Sequence, residues 1–147
     1  MGFRKEKYIG LQSKLWSHSA LLQSMGSYSC LFLSLCSIAE EYLEETGNSK
    51  KLDILEAAIG CRERGLIDEE WTCSSVEILD FLTGAKWGRQ ELKALPEKVP
   101  DNMYTVEKWY NKRTGFTHFR RRWGDTLKDS VTVKEGKLVC YYAFTHD

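Results

Sequence analysis

Cys30-Leu-Phe-Leu-Ser-Leu-Cys-Ser-Ile-Ala-Glu-Glu-Tyr42 is the most apolar segment of the chain, and how it folds decides how the rest must pack. Its apolar residues lie almost all round a helical projection, so a helix here belongs in the centre of a domain rather than on its surface. The pattern predicts a helix over residues 29–45, closed by Gly47-Asn48. Ser29 or Ser27 can cap its start, which puts Cys30 in the first turn, where the peptide dipoles favour negative charge.

Residues 51–64 place Leu52, Leu55, Ala58 and Ile59 on one stripe and end at Gly65, the pattern of an amphipathic helix with a glycine cap. Ser74-Ser-Val-Glu77 reads as a capping box opening a third helix over 75–83, stopped by Gly84. A polar connector with Pro96 and Pro100 follows. Beyond it the period turns from helical to alternating and the composition to β-branched and aromatic residues. Strands are predicted over 104–110, 116–123, 130–134 and 138–144, with turns at 112–115, Gly124-Asp125 and Glu135-Gly136. Helices first and antiparallel strands second make an α+β fold. A length of 147 residues predicts a single domain, 1–147, with a substantial core.

Lys plus Arg and Asp plus Glu both number 21, so the net charge is zero and no global field draws the chain to nucleic acid or an anionic membrane. No run approaches the ~20 apolar residues of a membrane span, and Met-Gly-Phe-Arg-Lys-Glu-Lys lacks the apolar core of a signal peptide. A cytoplasmic protein is expected. Cys30, Cys36, Cys61, Cys73 and Cys140 are odd in number, with no Cys-x2-Cys pair and no histidines at ligand spacing, which predicts reduced thiols and no metal.

At neutral pH only a few per cent of an ordinary thiol is the nucleophilic thiolate, and a helix N-terminus with an imidazolium beside it raises that share. Of the five cysteines only Cys30 has a helix dipole behind it. His118, in Gly115-Phe-Thr-His-Phe119, enters a predicted strand where its ring can lean over the end of a central helix. His18 and His146 are weaker candidates, and an ordinary hydrogen-bonded histidine is the plain alternative for His118. A catalytic imidazole needs an acceptor on its second nitrogen, and Asp125 and Asp129 follow closely enough to serve. An oxyanion needs donors: the Cys30 backbone amide is one, and Gln23, ahead of Gln12, is the nearest side-chain amide upstream.

These residues resemble a family. The run Cys30-Leu-Phe-Leu-Ser-Leu-Cys-Ser-Ile-Ala-Glu, Gly-Leu-Ile-Asp68, His118-Phe119 and Asp125-Thr-Leu-Lys-Asp-Ser130-Val-Thr-Val-Lys134-Glu-Gly-Lys137 look like small papain-like cysteine peptidases. Within that superfamily the pattern is similar to short proteins of spirochaetes and their prophages, related to the bacteriocin-leader-processing (double-glycine) peptidases. The resemblance runs in order over residues 20–144. It implies a papain-like α+β fold, N-terminal helices packed on a C-terminal antiparallel sheet. It further implies Cys30 as nucleophile, His118 as base and then acid, Asp125 as orienting carboxylate, Gln23 as oxyanion donor, a peptide or protein substrate, and no cofactor. The chain departs from the pattern in carrying Gln23 seven rather than six residues before the cysteine, and Phe119-Arg-Arg-Arg-Trp123 where an apolar strand is usual. Arg120 and Arg122 would share His118's face and could recognise an acidic substrate.

Two other classes compete. A papain-like scaffold that has lost catalysis could capture a protein or peptide, with Trp16, Trp71, Trp87, Trp109 and Trp123 as recognition surface. The Arg120-Arg-Arg122 strand, interleaved with Phe119, Trp123 and Tyr110, could track a nucleic acid, against which stand the zero net charge and the acidic helix of Glu40, Glu41, Glu44 and Glu45.

Overall fold

The computed structural model describes residues 18, 19, 21, 29–48, 52–121 and 136–147. Among them three helices precede a four-stranded antiparallel sheet: α1 (Cys30–Glu45), α2 (Ile54–Glu63), α3 (Ser75–Thr83), β1 (Trp87–Leu92), β2 (Met103–Tyr110), β3 (Thr117–Arg121) and β4 (Lys137–His146). Among the described residues the sheet order is β1-β4-β2-β3, which puts β1 and β3 at its two ends. This is the α+β class that the change of period predicts.

Helix α1 fills the role its composition assigns. Phe32, Leu35, Ile38 and Ala39 are wholly buried. They meet Ala58 and Cys61 of α2, Ile78 and Leu79 of α3, and Tyr104, Val106, Tyr142 and Phe144 of the sheet in one core. Gly47, at φ +76°, ends α1 by giving its amide to Glu44, while the Asn48 amide reaches back to Leu43. Only a residue without Cβ takes that conformation freely. Gly65 closes α2 in the same way, its amide bonding to Arg62 and that of Leu66 to Cys61.

Several expectations are corrected. Helix α2 begins at Ile54, capped by Asp53 through the Glu56 amide, and it turns Ala57, Ala58, Ile59 and Cys61 inward. Leu55, expected on the buried stripe, is half exposed in the first turn of α2. Ser74 occupies the N-cap of α3 but makes no side-chain capping hydrogen bond, so the predicted box does not close. Within the polar stretch that reads as a connector, Trp87–Leu92 forms β1 on β4. Trp87 is its sole buried residue, and a strand exposed over most of its length carries no apolar alternation to read. Strand β3 starts at Thr117, leaving Phe116 exposed after the Asn111-to-Gly115 turn. The strand expected over 130–134 and the turn at Gly124-Asp125 lie outside the described residues.

Candidate active site

Two elements set the geometry. Among the described residues β3 pairs with β2 on one side, Trp109 facing His118 and Lys108 facing Phe119. In an antiparallel edge strand every second amide points away from its partner. The Phe119 amide is given to the sulfur of Cys30, the first residue of α1. The His118 ring hydrogen-bonds to the same sulfur, and so does the Leu31 amide of the helix's first turn. The start of the central helix thus sits against the side of β3 that faces away from β2.

The electrostatics of this meeting favour the thiolate. Burial works against the charge and pushes the Cys30 thiol up. The His118 hydrogen bond, the Phe119 amide, the positive charge of His118 and the Leu31 amide together outweigh it and hold the thiol below its ordinary value. Cys73, Cys61 and Cys36 go the opposite way. Burial, then the neighbouring Cys61 and Cys30 sulfurs, push Cys73 up to about 12, and burial takes Cys61 to about 11 despite Arg64 nearby. Cys36 is raised further, by burial and then by Cys61 and Cys73. All five cysteines are free thiols. Cys30 is half-buried, so it combines reach with a shifted equilibrium.

The remaining histidines are elsewhere. His18 lies 3.5 Å from Glu63 at the end of α2. His146 packs among Tyr42, Trp87 and Tyr104, and Tyr42 is some twelve residues, or ~18 Å of helix, along α1 from Cys30. Asp125, Asp129, Gln23, Gln12 and Arg122 lie outside the described residues.

Arg120 donates from Nε to Glu107 at 2.7 Å and stacks 4.7 Å from the Trp109 ring centre, while Trp109 Nε1 donates to the same carboxylate oxygen at 3.0 Å. Its charge is therefore met by a carboxylate that is itself almost wholly buried. Arg121 points the other way, into the helix, where Nη1 donates to Ser37 and Nη2 to Glu41, both at 2.9 Å. Two of the three consecutive arginines are thus in ion pairs with side-chain burial to match. The residue pattern shows the alternation but not the partners: Glu107 reads as an interruption in a strand, and Glu41 as part of an acidic face. Their only sequence signal is a carboxylate at a position whose neighbours are buried.

Among the described residues no group of His, Cys, Asp or Glu is arranged to hold a metal ion, and no helix is long and apolar enough to cross a membrane. No family model, curated protein or solved structure matches the chain.

Proposed function

We propose that the protein is a cysteine peptidase or related amide hydrolase on a papain-like scaffold, working in the cytoplasm on a peptide or protein substrate. One observation carries this reading: Cys30, at the start of α1, is hydrogen-bonded to His118 of β3, a contact that together with the Phe119 and Leu31 amides favours the thiolate.

In this proposal the Cys30 thiolate attacks the carbonyl carbon of the scissile amide, and the carbonyl π electrons move onto oxygen. Backbone amides at the start of α1 face the developing oxyanion, with Gln23 as the proposed side-chain donor. His118, as imidazolium, gives its proton to the departing amine as the C–N bond breaks, which leaves a thioester on Cys30. His118 then takes a proton from water, the hydroxide oxygen adds to the thioester, and the carboxylic acid leaves as the sulfur regains its electron pair. Asp125 is the proposed acceptor that fixes the second ring nitrogen. Thiolate, imidazole and water complete this cycle, so it calls for no cofactor.

The test is acyl transfer. Incubation with p-nitrophenyl acetate, read by intact mass, is expected to place one acetyl group on Cys30, which water then removes. A mixed-sequence peptide library is expected to show new termini that disappear in Cys30→Ala and His118→Ala. A Cys30 that is never acylated, with a library left uncut, would overturn the hydrolase reading and leave the binding scaffold.

A further inference from the structure

Among the described residues, β3 is held by a ladder of backbone hydrogen bonds on one side, to β2. On the other side it meets α1 through two ties. One is the His118 and Phe119 contact with Cys30; the other is the Arg121 contact with Ser37 and Glu41. The spacings agree. From His118 to Arg121 an extended strand advances about 10 Å, and from Cys30 to Ser37 a helix advances about 10 Å. Strand and helix therefore run side by side, with matched attachment points at both ends.

We propose that the Arg121 fork is the device that sets the register of β3 against α1, so that Arg121 and Glu41 are positioning residues for the Cys30–His118 pair. Ser37 and Glu41 stand four apart on one face of α1 and are gripped by two nitrogens of one rigid guanidinium. Apolar packing alone, such as that of Phe119 on the core, tolerates sliding, whereas two directed hydrogen bonds to a buried cation fix one position. Arg121 is buried and its ion pair with Glu41, whose side chain is one-third exposed, measures 2.9 Å. A displacement of about 1 Å between β3 and α1 would break the thiol's hydrogen bond, and the Arg121 fork opposes such a displacement.

This inference rests on Cys30 and His118 acting as a reactive pair, but its test needs no substrate. The intact chain is alkylated with iodoacetamide across the pH range, and Cys30 labelling is followed by peptide mass mapping in the wild type and in folded variants. Glu41→Gln and Arg121→Lys are each expected to slow Cys30 labelling at neutral pH about tenfold and to displace its profile to higher pH, the loss of roughly one charge-assisted hydrogen bond. Exchanging the charges, Glu41→Arg with Arg121→Glu, is expected to recover most of the rate. Tyr104→Phe removes the hydrogen bond from the β2 tyrosine to Glu45 at the far end of α1, and is expected to leave Cys30 labelling as in the wild type. Unchanged labelling in Glu41→Gln and Arg121→Lys, or an equal loss in Tyr104→Phe, would overturn the positioning role and leave the hydrolase reading untouched. A wild type that labels rapidly, loses that reactivity in these variants and yet cleaves no amide would retain the positioning role and end the hydrolase reading.

Discussion

Replacing Glu107 with Gln removes the counter-charge of Arg120 while preserving shape. The Glu107 side chain is 4% exposed and that of Arg120 14%, so neither charge has water to fall back on. Breaking a buried pair from one side costs about 3 to 5 kcal/mol where isolation is complete; the Trp109 ring over Arg120 and its residual exposure bring the figure for Glu107→Gln to about 2 to 3 kcal/mol. Arg120→Met leaves the more deeply buried partner without its cation, and about 3 to 4 kcal/mol is expected. For 147 residues, with ~2.1 cal/mol/K per residue of unfolding entropy, 3 kcal/mol lowers Tm by about 10 °C. Urea unfolding of both single variants and the double variant gives the coupling directly. The double variant should lose about 2 kcal/mol less than the sum of the singles, because neither member is then left behind. A Glu107→Gln variant within about 0.5 kcal/mol of wild type, or strict additivity, would refute the view that this pair is buried and interdependent.

Phe32→Ala empties a wholly buried site under the first turn of α1, where the ring lies 5.4 Å from that of Trp71, and should cost about 3 to 5 kcal/mol in urea unfolding. Phe116→Ala, at a residue 63% exposed, should cost less than about 0.5 kcal/mol in the same assay. Cys61 and Cys73, raised from 9.0 to about 11 and about 12, give an alkaline limb to stability. Below pH 9 both stay protonated folded or unfolded; above it the unfolded chain releases protons that the folded one keeps, so stability should fall as pH rises towards 11 and 12. Thermal melts of wild type and a Cys61→Ala, Cys73→Ala variant across that window check the sign: the variant should show a shallower slope, with the part due to Cys36 remaining.

The helical half was legible because its signals are local. Continuous apolar character marked α1 as central, and glycines with positive φ closed each helix where the pattern ended. The α3 limits follow from the sequence, yet its capping box does not form, since a matching dipeptide spacing does not oblige the side chains to fold back. Strand β1 was hidden because Gly88, Arg89, Gln90 and Glu91 are exposed, so its membership of the sheet rests on backbone pairing with β4 rather than on side chains. In the site, Cys30 and His118 could be nominated from residue type and place in an element. The pairings of Arg120 with Glu107 and of Arg121 with Glu41 could not, since they join residues 13 and 80 apart and depend on strand register and helix rotation. The same alternation that put Arg120 on His118's face puts Arg121 against the helix, and a partner on α1 was the missing information.

The account depends on one sulfur and one imidazole. Mass-mapped alkylation of all five cysteines from acid to alkaline pH, in wild type and His118→Ala, tests it most directly. Cys30 should label first, with its profile rising below the ordinary thiol value of 9.0, and removal of His118 should carry that profile upward, because burial then opposes the charge with only the Phe119 and Leu31 amides to offset it. A Cys30 that labels no faster than Cys73 and is indifferent to the loss of His118 would contradict the account.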